Sequence, residues 1–359
     1  MRSPPPAESH HSHWQRGLAL ALTTAFLWGI LPLGLLLALR EIDAATVAWA
    51  RFVLAAAGLW LFLRFRARLP PLQILPRRAW GLIFVSMICL AGNYVLYTLG
   101  MEASNPTSAQ IVSQLGPMFM LFGGVLIFHE RLSRSQRGGI AMLIFGLILF
   151  FNDRIGELLA PVRGFGLGVA LNLAASLVWS VYALAQKPLL RRLEPQQVLV
   201  LLYTGSAVLL LGLASPAGIR GMSPIALIAL GLCGLNTLFA YGSLAESLKC
   251  WEASRVGAVL ASTPLFTYAA MKAGALIAPA LFVADHLNAA SLAGAALVVC
   301  GSALCALGGR IGAGNAPVSA PGAPVSVPVQ GAHPASQTPS RATEHYSQVS
   351  APSDSHPGT

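Results

Sequence analysis

The sequence predicts an all-α integral membrane protein of ten transmembrane helices, arranged as two inverted five-helix repeats. Three observations carry this. First, 55% of the 359 residues are hydrophobic and only 10% are charged, against about 25% charged in a typical soluble domain. So few charges cannot clothe a water-facing surface of this size, which excludes a soluble globular domain and a disordered chain. Second, apolar stretches of roughly 20 residues, the length that crosses about 30 Å of hydrocarbon, follow one another with short connections. Third, the positive charges segregate to one side of those stretches.

In chain order the stretches are 17–39, 45–64, 79–99, 107–128, 136–152, 164–186, 197–216, 223–246, 254–278 and 288–308. The first follows a polar segment, 1–16, with His10, His11 and His13. Its apolar run from Leu18 to Leu39 outlasts the 7–15 residues of a signal-peptide core, and Arg40-Glu41 follows without a small-residue cleavage pattern. It is therefore expected to stay as a helix. The second is rich in Ala and Leu and carries Arg51. The third follows Arg77-Arg78, the fourth holds Pro117, the eighth ends at Glu246 and the ninth holds Pro264 and Lys272. Residues 311–359 are rich in Pro, Ser, Ala and Gly and cannot bury enough apolar surface to offset their ordering entropy. They are expected to form a disordered cytoplasmic tail.

Seventeen of the 23 Lys and Arg fall on the side of the N-terminus. Arg40, Arg154, Arg163 and Arg220 fall on the other side, and Arg51 and Lys272 lie within spans. This asymmetry places both termini in the cytoplasm, which an even number of spans requires. It also accounts for the net charge of +10 without nucleic acid. The five cysteines (Cys89, Cys233, Cys250, Cys300 and Cys305) show no CxxC spacing, so neither a metal nor a redox centre is expected. There is no GxxxxGK[ST] loop for ATP and no HExxH metal motif. The eight histidines lie in the termini or at His129 and His286, away from the spans where an intramembrane enzyme would cluster them. The chain is expected to be neither an enzyme nor a cofactor protein.

The halves repeat. Trp28 matches Trp179 and Arg40 matches Arg191 at an offset of 151. Tyr94 matches Tyr241 and Pro117 matches Pro264 at 147, and Gly139 and Gly146 match Gly294 and Gly301 at 155. Five spans per repeat is an odd number, so the second copy, 164–308, enters from the side opposite to the first, 17–152. Such inverted repeats are typical of transporter folds.

These features resemble the drug/metabolite transporter superfamily, EamA type, over residues 17–308. The resemblance rests on Ala25-Phe26-Leu27-Trp28-Gly29, Arg51-Phe52, Pro117, His129-Glu130-Arg131-Leu132-Ser133, Gln136 and Gly139. The second copy has Ala284-Asp285-His286-Leu287 in place of the Glu-Arg-Leu triplet. The resemblance implies ten helices in two inverted repeats, transport of small solutes, and export rather than import.

Polar side chains within spans face a bundle interior or a cavity rather than lipid. Gln110, Gln114 and Pro117 lie on one helical face with Thr107. Tyr268 and Lys272 follow Pro264 at helical spacing on the second copy. Asn93, Tyr94 and Tyr97, Trp28 and Trp179, and Asn236 and Tyr241 add further polar or aromatic groups. Two readings stay open: a solute cavity, or interhelical hydrogen bonds that hold the bundle. Arg51 and Lys272 either attract an anionic or zwitterionic solute or snorkel to the interface. Pro117 and Pro264, both read as mid-helix, are paired hinges or static kinks. Glu246 is a candidate for proton coupling or a solvated helix end. Expected partners are a small-molecule substrate and the lipid bilayer, with monomer and homodimer both open, and the expected location is a bacterial inner membrane. The competing functions are a receptor or scaffold acting through its tail, and a passive channel.

Overall fold

The computed structural model describes residues 8–70, 72, 75–128, 132–156, 164–186, 188–250, 253–283 and 287–308. The 311–359 tail, residues 1–7, His129-Glu130-Arg131 and Ala284-Asp285-His286 lie outside the described residues. Among those described, regular structure is entirely helical. The α-helices are α1 Glu8–Leu39, α2 Ala44–Phe65, α3 Arg77–Ala103, α4 Pro106–Ser113, α5 Leu115–Phe128 and α6 Arg134–Phe150, followed by α7 Phe165–Gln186, α8 Pro195–Leu210, α9 Pro224–Cys250, α10 Ala253–Leu260, α11 Thr263–Ile277 and α12 Ala289–Gly308.

Among the described residues, seven stretches are long and apolar enough to cross a membrane: Trp14–Leu39, Ala44–Phe65, Arg77–Ala103, Pro106–Ile127, Phe165–Gln186, Pro224–Ser247 and Ala289–Leu307. The other three expected spans differ for physical reasons. α6 has 17 residues and α8 has 16, about 26 and 24 Å at 1.5 Å per residue. The ninth stretch is broken into α10 and α11. The molecule is nevertheless dressed for lipid. Leu276 and Ile277 are 85% and 84% exposed, with Phe65, Leu126 and Val208 similarly bare, a surface that water would not tolerate.

Caps set the helix starts. Asp43 accepts the Thr46 amide at 2.9 Å to open α2, and Asn105 accepts the Ser108 amide at 2.7 Å to open α4. Ser133 and Gln136 form a reciprocal capping box at α6.

The helices pack mainly across the halves. α1 lies on α9 and α3 on α7; α5 lies on α7 and α11 on α1. With the sequence repeat aligning α1 with α7 and α3 with α9, each of these pairs is one contact made twice. α2 packs on α8 and α6 on α12, so each helix there meets its own counterpart, as a pseudo-two-fold requires.

The α6–α12 contact is the closest-set of these. A methyl group on Gly146 would lie 2.7 Å from the Val298 amide nitrogen and 2.9 Å from the Gly294 carbonyl. One on Gly301 would lie 2.6 Å from the Leu143 nitrogen and 2.7 Å from the Gly139 carbonyl. The two helices therefore run antiparallel, with Gly139 on Gly301 and Gly146 on Gly294. These four are the repeat-matched glycines, exchanged in the pattern that a two-fold axis produces. Small residues let membrane helices approach backbone to backbone.

Gly146→Ala should therefore lower unfolding stability by about 1–3 kcal/mol through overpacking, although alanine is the better helix former. Gly81→Ala, where an added methyl meets nothing within 4 Å, should be neutral or stabilising by up to about 1 kcal/mol. Thermal unfolding of the two variants in detergent measures both signs.

Candidate functional site

The site is built where helices cannot complete their own hydrogen bonds. In hydrocarbon every carbonyl that a helix frees must find another donor. α1 contains Pro32, which has no N–H for the Trp28 carbonyl one turn earlier. Gln110 of α4 supplies the missing donor, its Nε2 3.1 Å from the Trp28 oxygen. The neighbouring carbonyls are also held from other helices: Asn236 of α9 donates to Leu27 at 2.5 Å, and Thr267 of α11 donates to Gly29 at 3.0 Å. Three helices thus converge on one turn of α1.

Two further helices are interrupted. α4 gives way to α5 at Gln114, and α10 to α11 at Ala261-Ser262. Pro117 and Pro264 sit in the first turns of α5 and α11, where an amide is an orphan anyway. Gln114 and Ser262 keep right-handed helical backbone angles, and Pro106–Ile127 remains one apolar stretch, so each interruption is a kink within the turn that precedes a proline. Hydroxyls donate to carbonyls beside the breaks. Ser113 donates to Gln110 O at 2.7 Å, Ser262 to Val259 O and Thr263 to Leu260 O, both at 2.6 Å. Discontinuous helices at matched repeat positions are a common pointer to a transport site.

Between these breaks lies a cavity of about 590 Å³, within the range of small-molecule sites. It runs from Trp28, Arg51 and Tyr97 toward the face at which α1 begins, where Leu244, Val256 and Ala306 line it. At the opposite face of the bundle, hydrogen bonds join the loops. Arg40 donates to Leu281 O at 2.5 Å, and Glu41 accepts the Ser223 hydroxyl and amide, each at 2.6 Å. Those bonds from Ser223 hold the Glu41 carboxyl below its ordinary range.

The two halves contribute different chemistry. The first lends Tyr97, Gln110 and Gln114; at the 147-residue offset the second lends Leu244, Gly257 and Ala261. The scaffold is doubled, but at these three matched positions the wall is polar in the first half and apolar or small in the second. Trp28 and Trp179, and Tyr94 and Tyr241, line it from both halves. Trp28 meets Tyr241 edge to face at 5.4 Å between centroids. Gln114 accepts the Ser302 hydroxyl at 3.0 Å, and Asn93 donates to Ala175 O at 3.0 Å.

Arg51 is 4% exposed, the one buried charged side chain among the described residues. Its Nε donates to the Thr237 hydroxyl at 3.2 Å and its guanidinium lies 4.4 Å over the Tyr94 ring. No ion pair to Arg51 exists among the described residues. The Tyr97 hydroxyl, on the same cavity wall, is buried and has no hydrogen-bond partner.

Several expected residues lie elsewhere. Asn236 lies off the cavity, spent on the Leu27 carbonyl. Lys272 is exposed, its Nζ 5.1 Å over the Tyr268 ring, and neither residue lines the cavity. The kink at Ala261-Ser262 explains this: spacing counted from Gly257 holds only along a straight helix. Pro264 also stands off the cavity, while Pro117 lines it. Glu246 lines a second crevice, 4.0 Å from Arg16 and 3.5 Å from the Gln196 amide. Sequence reasoning passed over Pro32, Ser113 and Ser302; a proline inside the first span and hydroxyls in otherwise apolar spans were the available signals.

Interlocked halves around one cavity, with broken helices at its wall, are the architecture of a multi-pass membrane transporter. The chain belongs to the EamA-like transporter family, which matches it twice, over residues 15–152 and 166–307. It is 38% identical over 284 residues to a protein of Escherichia coli K12 named an uncharacterized inner membrane transporter, YhbE, covering 79% of this chain and 88% of that one. It is 25% identical over 293 residues to a probable amino-acid metabolite efflux pump of Salmonella typhimurium, covering 78% and 91%. A solved crystal structure shares the fold with a TM-score of 0.55 at 19% identity, covering 80% of this chain and 95% of that one.

The Gln110–Trp28 bond yields a double-mutant test. Gln110→Ala should cost about 0.6–1.7 kcal/mol in the native chain. It should cost measurably less in a Pro32→Ala background, where the backbone N–H restored by that substitution satisfies the Trp28 carbonyl. Chemical unfolding of the four proteins measures the coupling.

Proposed function

We propose that the protein is a secondary transporter that exports a small organic solute bearing a carboxylate and an apolar body, amino-acid-like in its chemistry. One observation carries the reading: Arg51, buried on the cavity wall, has only a hydroxyl and an aromatic face for company. A charge at helix centre costs about 2.5–3.5 kcal/mol on insertion scales, and intramembrane charges of this kind mark substrate paths. A carboxylate entering the cavity supplies the missing partner, with Tyr97 offering a further donor and Gln110 and Gln114 amide contacts. The apolar and aromatic part of the wall, with Trp28, Trp179, Tyr241, Leu244 and Val256, receives the rest of the molecule.

The transport cycle in this reading is alternating access between ten spans in two inverted repeats. The self-matched α2–α8 and α6–α12 contacts support the 5+5 arrangement, with α4–α5 and α10–α11 as the fourth and ninth spans. Pro117 and Pro264, each one turn past a break, are the hinges. With both termini cytoplasmic, as the charge asymmetry favours, the cavity faces the cytoplasm and the Arg40, Glu41 and Ser223 ties close the outside. The efflux role named for the Salmonella relative supports export, and the name of the Escherichia coli relative supports an inner-membrane location. Glu246 is the carboxylate for proton coupling in this scheme, since Tyr241 walls both its crevice and the cavity. These loop ties favour a carrier over a passive channel.

Counterflow in proteoliposomes tests this. A set of small carboxylates and their neutral amides is offered with and without a proton gradient. The expected result is saturable exchange of at least one carboxylate, with its amide slower by about 10- to 100-fold, the worth of one charge-assisted hydrogen bond. Non-saturating flux would indicate a channel, and equal rates for acids and amides would remove Arg51 from recognition.

A further inference from the structure

A second crevice, also of about 590 Å³, lies between α1, α2, α8 and α9 at the face where α1 begins. It exists because α2 and α9 diverge. They touch where Leu238 packs on Gly58, leaving no room for a methyl there, and where Leu54 packs on Gly234. One turn further toward the α1-start face, an added methyl on Gly242 would meet nothing within 4 Å. The floor of the opening is apolar, with Leu20, Leu59, Leu199 and Leu238. Its lips include Phe62 and Phe239, which are 42% and 60% exposed on the lipid-facing perimeter.

The mouth is basic. Arg16, Arg66 and Arg68 line it together with Glu246 as the single acid. Arg16 lies 4.0 Å from Glu246, and Arg68 lies 3.4 Å from Glu194. Arg66 has the Phe62 ring at 5.6 Å and no ionic partner among the described residues. From Gly58 to Arg66 the crevice extends about 12 Å along α2, close to the depth of one hydrocarbon leaflet, half of about 30 Å. An apolar slot of leaflet depth, open to lipid at its lips and cationic at the headgroup level, matches an amphiphile in both dimension and charge. A free anion would use the mouth and leave the slot empty.

We propose that this crevice holds one anionic phospholipid. Its phosphate sits between Arg66 and Arg16, and one acyl chain lies between α2 and α9 beside Gly242. Basic pockets between membrane helices bind such headgroups. The crevice adjoins the solute cavity at Tyr241, which walls both.

Native mass spectrometry of the full-length protein from detergent, with phosphatidylglycerol and phosphatidylcholine at equal concentration, tests the proposal. One phosphatidylglycerol should be retained in preference to phosphatidylcholine. Arg66→Gln and Arg16→Gln should each lower that preference by about fivefold. Gly242→Leu, which fills the slot without changing charge, should lower retention of both lipids. Thermal unfolding without added lipid checks that the variants fold. Equal retention of the two lipids, or a preference unchanged in the arginine variants, would overturn the proposal. Displacement of phosphatidylglycerol by inorganic phosphate would also overturn it, since the mouth would then be a free-anion site.

Discussion

Backbone carbonyls in a bilayer must be paired, and this constraint organises the protein around its centre. A helix that is interrupted in hydrocarbon survives only where a donor arrives from elsewhere. Here the interruptions are Pro32 in α1 and the breaks at Gln114 and Ser262. Gln110, Asn236 and Thr267 reach the α1 turn from three helices, and at the second break Thr263 donates to the Leu260 carbonyl that Pro264 leaves without an amide. The same bonds that satisfy the backbone fix where α4, α9 and α11 stand against α1. The cavity is the space left between elements held apart in this way.

The repeat supplies the scaffold, and divergence of the repeat supplies the chemistry. Matched glycines bring α6 and α12 together, and matched tryptophans and tyrosines face the cavity from both halves. At three matched positions on the cavity wall the halves part company: the first has Tyr97, Gln110 and Gln114 where the second has Leu244, Gly257 and Ala261. The helix contacts repeat between the halves while the cavity wall does not. Arg51, the single buried charge among the described residues, adds to the asymmetry from the first half.

Much of this was legible in the sequence, because lipid imposes simple rules. Apolar length marked the helices, charge asymmetry gave an orientation to test, and ordered matches between the halves revealed the repeat. Trp28, Arg51, Asn93, Tyr94, Tyr97, Gln110, Gln114, Trp179 and Tyr241 line one cavity, and each stood out as a polar or aromatic group in an apolar span. What the sequence hid depends on helix register. Tyr268 and Lys272 share a helical face with Gly257 only if the helix is straight, and the kink at Ala261-Ser262 takes them off the cavity. Asn236 has the composition of a cavity residue but is consumed by a carbonyl that no sequence pattern identifies as needy. Pro32 was masked by its place in a long apolar run. The α6 and α8 segments are simply shorter than their apolar surroundings suggest.

The central claim is that the charge of Arg51 is kept for the solute's carboxylate. Calorimetric titration of the purified protein with a transported carboxylate and with its neutral amide, in native and Arg51→Gln proteins, measures this directly. The claim predicts that the native protein prefers the acid by about 1.5–3 kcal/mol and that Arg51→Gln abolishes the preference while binding of the amide changes little. A preference for the acid that survives Arg51→Gln would contradict it.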